Sequence, residues 1–552
     1  MPHRLPSATH TAAALRAHAA MVAELRCPGA CGAWPGAAGL LETHISSLLL
    51  AGDLVYKLKK PVALPFVDFS SLDLRHDACQ QELRLNRRTA PRWYQAVVPV
   101  VQGSTGAVIA APAGPDAAPH LGINPGPSPS PVVDWAVRMR RFDDHQLFDR
   151  LAGQGRLDAA MVDRLAEVVA HFHAQQTPAP PGYGRAEATR HWARENAAEL
   201  AALVAGTALA PAVATLQAWT ESRGAALAGL MDLRCRTGHV REVHGDLHLG
   251  NIVWADHTAV LFDALEFSDT LRHIDTIGDN AFTFMDLLAH GLPRLAWRFI
   301  GAVLEASGDW AALPLLGWWA GYRAAVRAKV ALLSVPAGAA AGAGAAATDP
   351  RAAALARAQR YLAVASALAA PPPQPRLVLT FGLSGSGKSL VAGQLAERLG
   401  GVRVRSDVER KRLFALPPTA RAVPELYSPD TTRRTYERLA ELADGALAAG
   451  IPVVVDAANL NRRERDTMRA VAAAQGAHFT LLVCEAPPAV LLARVQARMA
   501  ADGDASDATP EVLARQQGWA EWPGADEAGD TLRLFTDVPL AGLAAQIEAL
   551  PI

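Results

Sequence analysis

Eight consecutive residues, Gly382 through Ser389 (GLSGSGKS), have the spacing GxxxxGK[ST]. Glycines at Gly382, Gly385 and Gly387 free the backbone, so that N–H groups along a loop that also holds Ser384 and Ser386 can close around phosphate oxygens. Lys388 adds a point charge, the start of the following helix adds a partial positive charge, and Ser389 offers a hydroxyl to Mg²⁺. The pattern sits between the apolar run Leu377 to Thr380 and the helical LVAGQLAERLG, the strand, loop and helix setting that this chemistry needs. A second set lies upstream. Asp246 and Asn251 are five positions apart in VHGDLHLGN, and Asp263 comes 12 later, after a strand, the Asp256-His257 turn and another strand. Phosphoryl transfer needs an acceptor hydroxyl oriented in line and a metal to neutralise the phosphates. A carboxylate, an amide oxygen and a second carboxylate converging from one loop and one hairpin meet that need. The competing reading is structural: a capping aspartate, a turn asparagine and a strand aspartate.

Other residues fit around each set. In the run DLVYKLKK, strand alternation puts Val55, Lys57 and Lys59 on one face, and Glu82 lies on the helix that follows. Alone, a lysine-bearing strand and a Glu/Arg helix would be ordinary surface. Beyond the phosphate loop, Ser406-Asp407-Val408-Glu409-Arg410 follows what should be the second strand of that half. Asp456 ends the run IPVVVD, and Arg494 and Arg498 stand one helical turn apart. Bland alternatives exist here too: Asp407 as a helix cap, Asp456 as a strand-end residue, and the arginines as a solvated basic face.

Two resemblances organise these residues. The HGDxxxxN run with its later aspartate resembles the catalytic loop and metal-binding aspartate of the protein-kinase-like fold, in the form of aminoglycoside and choline phosphotransferases. That resemblance implies Asp246 as base toward an acceptor hydroxyl, Asn251 and Asp263 as Mg²⁺ ligands, and a strand lysine paired with Glu82 to hold the ATP phosphates. Lys57 is preferred, and Lys59 shares its face. It also places Val137 to Phe142 where a connection between lobes cradles adenine, and makes His173 a helix histidine best read as a satisfied structural one. The later half resembles small P-loop kinases of the polynucleotide kinase, gluconate kinase and zeta-toxin type. There Asp407 is implied as the acceptor base, Arg410 as a substrate contact, Asp456 as a carboxylate near Mg²⁺, and Arg494 and Arg498 as lid arginines; Ser506 to Thr509 also matches that group.

The elements that must position these side chains follow from pattern. His44 to Leu50 and Leu54 to Lys59 form a hairpin; a helix near Ala78 to Arg88 and strands at Val97 to Val101 and Val132 to Phe142 follow, with a Pro/Gly/Ser loop at 112–130 between the strands. From Ala159 to Leu333 the pattern is mainly helical, interrupted by Val243 to Phe267. Strands first and helices later indicate a two-lobed α+β architecture. An Ala/Gly-rich stretch at 336–348, a helix at 351–369 and PPPQP at 371–375 then break the chain. Beyond it, strands alternate with helices, which implies an α/β domain with a parallel sheet covered on both faces.

Composition sets outer limits. Half of the 552 residues are hydrophobic and 19% charged, with a formal net charge of -1, so no bulk electrostatic attraction to nucleic acid exists and constitutive nucleic-acid binding is not expected. Five scattered cysteines, Cys27, Cys31, Cys79, Cys235 and Cys484, make no disulfide framework and no zinc ligand set, which fits a reducing cytoplasmic setting. No apolar leader and no unbroken apolar span of about 18 residues is found, so a membrane segment is not expected.

Nearly the whole chain, from Glu42 to Gln516, is similar to bacterial two-domain proteins in which an aminoglycoside-phosphotransferase-like half is fused to a P-loop ATPase half. The resulting expectation is a kinase-like domain at 1–345, a helix and linker at 346–375, and a P-loop kinase-like domain at 376–552. The expected activity is ATP- and Mg²⁺-dependent transfer of the γ-phosphate to a hydroxyl of a small molecule at each of two sites. The alternative is that the P-loop half binds or hydrolyses ATP to regulate the first. One departure is Asn280, where the family pattern leads one to expect an apolar residue. No acidic cluster suited to a polycationic ligand can be placed, so the family name does not supply a substrate.

Overall fold

The computed structural model describes residues 8–32, 34–64, 67–110, 131–334, 350–420, 424–501 and 505–552. The loop expected at 112–130 and the Ala/Gly-rich stretch at 336–348 lie outside the described residues.

A six-stranded antiparallel sheet opens the fold, in the spatial order Gly39–Glu42, Ser46–Ala51, Leu54–Lys59, Val132–Arg140, Tyr94–Gly103 and Gly106–Ile109. The hairpin read around Ala51-Gly52-Asp53 is present, with Leu50 opposite Val55 and Leu48 opposite Lys57. Helix Leu72–Asn86 begins six residues before the expected Ala78, because Ser71 caps it by accepting from Leu74 N at 3.2 Å. It lies on the sheet, so Glu82 is buried beneath the lysine face of strand Leu54–Lys59.

Helices dominate from Ala159 onward: Ala159–Gln175, Ala186–Leu203, Ala210–Arg236, Thr276–Ala289, Pro293–Ser307 and Leu313–Leu333. The expected interruption is wider than Val243 to Phe267. Strand Val240–Glu242 pairs with His273–Asp275 and brackets it, and the inner hairpin joins Ile252–Ala255 to Thr258–Leu261. Asp256 and His257 turn that hairpin with φ of 48° and 59°, the double left-handed bend that a two-residue connection between twisted strands favours. Helix Thr276–Ala289 is the central pillar, buried from Ile277 through Leu287.

Helix Pro350–Ala369 packs Ala358, Tyr361, Leu362 and Ala365 into the core beside helix Leu313–Leu333. The last sheet has five parallel strands, ordered Val402–Arg405, Val453–Asp456, Arg376–Phe381, His478–Glu485 and Thr531–Phe535. Along the central strand Leu377, Leu379 and Phe381 face the helices Pro429–Ala448 and Arg462–Ala474. Val378 faces helices Lys388–Leu399 and Leu540–Ala549 on the other side. A strand buried on both faces reads as a continuous apolar run, as this one does. Among the described residues, no helix is long and apolar enough to cross a membrane.

Candidate functional sites

In the first half, Lys57 and Lys59 grip one carboxylate from opposite sides. Lys57 Nζ donates to Glu82 Oε1 at 2.8 Å and to Asp263 Oδ1 at 2.5 Å. Lys59 Nζ donates to Glu82 Oε2 at 2.5 Å and to Glu266. Lys59 is fully enclosed, whereas Lys57 reaches the half-buried Asp263. Burial alone would raise the Glu82 carboxyl, but the two ammonium groups outweigh it and hold it at about 2. The sequence preferred Lys57, with Lys59 on the same face; the structure gives both lysines Glu82 and each a different second carboxylate, Asp263 for Lys57 and Glu266 for Lys59.

Asp263 occupies a left-handed backbone position with φ of 60°, an uncommon conformation for a residue with a side chain. Two groups beneath the sheet hold the turn. Asp263 N donates to the Tyr94 hydroxyl at 3.2 Å, and Ala264 N donates to Asn86 Oδ1 at 2.8 Å. Opposite, Asn251 Nδ2 donates to the Asp246 backbone oxygen at 2.9 Å and to its Oδ2 at 3.1 Å. That leaves the Asn251 amide oxygen as its acceptor for a cation. His248 Nε2 stands 3.5 Å from Asp246 Oδ2, and Arg327 Nη1 reaches that same ring nitrogen at 3.1 Å. Burial raises the Asp246 carboxyl, and His248 and Arg327 more than reverse this, holding it well below the usual carboxylate range.

The loop carrying Asp246 is shaped from below by two aspartates of helix Thr276–Ala289. Asp279 accepts from His244 N at 3.2 Å, Gly245 N at 2.9 Å and His173 Nε2 at 2.9 Å. His173 therefore has the structural role expected of it. Asp286 accepts from Leu249 N at 2.9 Å and from the Tyr361 hydroxyl of helix Pro350–Ala369 at 2.9 Å. Gly245 has φ of 83°, and a Cβ there would meet Leu265 Cβ at 3.1 Å, so the residue before Asp246 must be glycine. The loop roles of Asp279 and Asp286 were missed in the sequence. A signal existed: Asp275, Asp279 and Asp286 recur at helical spacing on an otherwise apolar helix. Asn280 on the same helix is 4% exposed and its Oδ1 has no hydrogen-bond partner, so the departure does fall on a tightly packed position.

One sequence expectation needs correcting. Val137 to Arg140 do not form a connection between lobes. They continue strand Val132–Arg140 in the middle of the sheet, because their alternating apolar side chains pack against both neighbouring strands. Only Arg141 and Phe142 leave it, and Phe142 stacks on Trp93 at 4.8 Å with Phe262 at the same distance.

In the second half, a cleft of about 1050 Å³ brings together Lys388, Ser389, Asp407, Arg410, Asp456, Arg494 and Arg498, along with Ser384, Gly385 and Gly387. Gly382 and Ser386 belong to the same loop and do not line the cleft; Ser386 accepts from Thr536 Oγ1 at 2.9 Å through its carbonyl. Gly385 has φ of 83°, and a Cβ there would strike the Leu491 carbonyl oxygen at 2.5 Å. Lys388 Nζ donates to the Leu383 carbonyl at 2.8 Å, and burial lowers its pKa against the pull of Asp456 and Asp407.

Asp407 is not a helix cap. Arg405 precedes helix Ser406–Arg412 with no capping side chain, and Asp407 in the first turn lines the cleft. Burial raises its pKa, only partly offset by Arg410 and Arg405. Arg410 is held by the Leu426 carbonyl at 3.1 Å and Thr432 Oγ1 at 3.3 Å, and lies over the Tyr427 ring. The two lid candidates differ. Arg494 is spent on Thr536 Oγ1 and O, at 3.1 and 2.7 Å, while Arg498 Nε and Nη2 have no hydrogen-bond partner among the described residues. Asp456 Oδ2, also buried and without one, is a hard oxygen of the kind Mg²⁺ takes. Glu464, not picked out in the sequence, lines the same cleft, and burial pushes its carboxyl up to about 7.

These two constellations define a two-domain, phosphate-handling protein. Residues 111–265 match the phosphotransferase enzyme family, and residues 377–523 match an AAA domain family. The protein called Uncharacterized protein Rv2004c, of Mycobacterium tuberculosis, is 30% identical over 503 residues, covering 88% of this chain and 92% of its own length. Uncharacterized protein Mb2027c of Mycobacterium bovis matches with the same identity and coverage. Among solved structures, a gluconokinase from Sinorhizobium meliloti is 24% identical, covering 31% of this chain and 89% of its own, with a TM-score of 0.24. The Mycobacterium tuberculosis APS kinase CysC, in complex with AMPPNP and APS, is 24% identical, covering 32% and 97%, with a TM-score of 0.25. The chain belongs to the family of two-domain proteins in which an aminoglycoside-phosphotransferase-like half precedes a P-loop kinase half. Both a phosphotransferase domain and a P-loop kinase domain are present, which supports ATP-dependent phosphotransfer as the class of activity.

Proposed function

We propose that the chain carries two sites, each moving the γ-phosphate of ATP to a hydroxyl of a small-molecule acceptor. The observation that carries the first is the double contact of Lys57, which ties Glu82 beneath the sheet to Asp263 above the Asp246 loop. Lys57 is then the phosphate-binding lysine, and Lys59 the fully buried counter-ion that fixes Glu82 and Glu266. Asp246 takes the acceptor proton as the hydroxyl oxygen bonds to the γ-phosphorus, and the bond from that phosphorus to the β,γ-bridging oxygen breaks to release ADP. Asn251 and Asp263 would hold Mg²⁺, which neutralises charge on the phosphates.

At the second site Lys388 and the loop from Gly382 to Ser389 hold the phosphates. Asp407 is the acceptor base, Arg410 a substrate contact, and Ser389 with Asp456 the metal-facing pair. Arg498, with its unpartnered nitrogens, is the better placed of the two lid arginines to meet transferring oxygens. The reading includes domains at 1–345 and 376–552 joined by a helix and linker at 346–375, a cytoplasmic setting, and no nucleic-acid partner.

A second reading is favoured by one contact. Tyr361, on the helix leading into the second half, hydrogen-bonds Asp286, which in turn holds Leu249 of the first catalytic loop. A P-loop half that only bound or hydrolysed ATP would have a route to its neighbour. Transfer of γ-labelled phosphate into a small-molecule extract separates the readings. Two products, one lost in Asp246→Ala and the other in Lys388→Ala, are expected. A single product lost only with Asp246→Ala would leave the second half as a regulator.

A further inference from the structure

Helix Pro293–Ser307 precedes the P-loop half by some seventy residues of chain, yet its last turn lies against the strand that leads to Asp407. The Glu305 carboxylate accepts from two arginines of strand Val402–Arg405: Arg403 Nη2 on Oε2 at 3.1 Å, and Arg405 Nη1 on Oε1 at 3.4 Å. Its backbone carbonyl accepts from Arg412. Both strand arginines also reach the nucleotide cleft. Arg403 Nη1 donates to the Ser389 carbonyl at 3.0 Å, at the residue whose hydroxyl faces the metal position. Arg405 lines the cleft, and its Nε stands 3.7 Å from Asp456 Oδ2.

One carboxylate from each half of the chain, Glu305 and Asp456, thus stands within reach of Arg405. At 3.7 Å it attracts Asp456 without hydrogen-bonding it, and Asp456 Oδ2 has no hydrogen-bond partner among the described residues. A guanidinium carries one positive charge, and the fraction engaged by Glu305 is not spent on the cleft. With the Glu305 charge removed, Arg405 would be drawn toward Asp456 and Asp407. A cation would then have to displace a buried, charge-assisted contact.

We propose that Glu305 is a positioning residue that the phosphotransferase half supplies to the second site, holding Arg405 back so that Asp456 stays available to the Mg²⁺ of bound nucleotide. The proposal rests on the reading of the cleft as a Mg²⁺-dependent nucleotide site. It makes that site complete only when the first half is docked against it.

The test uses the full-length Asp246→Ala protein, in which phosphate release from γ-labelled ATP that depends on Lys388 reports the second site alone. Adding Glu305→Gln raises about fivefold both the Mg²⁺ concentration for half-maximal rate and that for half-maximal, Lys388-dependent binding of a fluorescent ATP analogue, with the rate at saturating Mg²⁺ retained. Adding Arg405→Gln to that variant brings the Mg²⁺ requirement back. Glu397→Gln breaks a different ion pair from the same helix, Arg298 to Glu397 at 2.7 Å, and leaves the requirement unchanged. A Glu305→Gln shift no larger than that of Glu397→Gln, or one that Arg405→Gln does not reverse, overturns the role of Glu305 alone. Absence of any Lys388-dependent release in the Asp246→Ala protein overturns the reading of the cleft itself, and the proposal with it.

Discussion

Asp246 and Asp407 have the same proposed task in opposite surroundings. Asp246 faces the imidazole of His248, itself reached by Arg327, and is held well below the usual carboxylate range. Asp407 sits in a cleft where burial outweighs Arg410 and Arg405, and its pKa is raised. As acid is added, the first keeps its charge to lower pH; the second, a stronger base, gives it up sooner. The supporting charges differ in the same way. Around Glu82 two fully engaged lysines make a closed cluster, while at the P-loop cleft Arg498 and Asp456 keep atoms without a hydrogen-bond partner among the described residues.

The largest effect that would sharpen this contrast is on turnover. Asp246→Asn keeps the shape and removes the base, and should lower formation of the first product by about 10²–10⁴-fold with ATP affinity little changed. An unchanged rate would remove Asp246 from the mechanism. Next comes stability. Lys59→Met strips one partner from two buried carboxylates and should cost about 3–5 kcal/mol in a denaturant titration. Lys57→Met, whose partner Asp263 is half-exposed, should cost less and instead eliminate the first product. Equal stability losses with equal retention of product would erase the distinction between the lysines.

The pH dependence follows from the two aspartates. A base whose pKa is raised above 3.8 loses its charge as pH falls through that higher value, whereas a base held below 3.8 keeps it to lower pH. In kcat/KM for the two acceptors, the acid limb of the second product should therefore lie at higher pH than that of the first. Coincident limbs would mean that other groups control both. The smallest expected effect is that of Tyr361→Phe, which removes one buried hydrogen bond to Asp286 and should destabilise by about 1 kcal/mol. Were the P-loop half a regulator acting through this helix, the same change would also uncouple ATP binding at Lys388 from turnover at Asp246.

Much of both sites was legible because their chemistry is local. GLSGSGKS needs its glycines within eight residues, and HGDLHLGN holds an aspartate and an amide within one loop, so spacing alone exposes them. Glu82 and Lys57 were found through strand alternation and a helix in the expected order. Pattern read Val132 to Phe142 as a strand, while the resemblance placed a connection at Val137 to Phe142; alternating Arg and apolar residues do not mark where a strand leaves its sheet. Glu464 went unseen because a single acid on a helix carries no sign of what lies across from it, and the spacing of Asp279 and Asp286 does not say which loop they would hold.

What the sequence determined by itself is therefore the set of short-range devices: the phosphate loop, the base with its amide and following aspartate, the antiparallel hairpin and the parallel core of apolar runs. Their information lies in spacing that a few bonded residues impose. The tertiary structure alone decided which lysine meets Asp263, which aspartates anchor the Asp246 loop, which arginine keeps donors without a partner among the described residues, and that Glu305 meets Arg403 and Arg405. The ion pairs and loop contacts among these join groups 34 to 206 residues apart in sequence, which meet where water is largely excluded and a charge must find a partner.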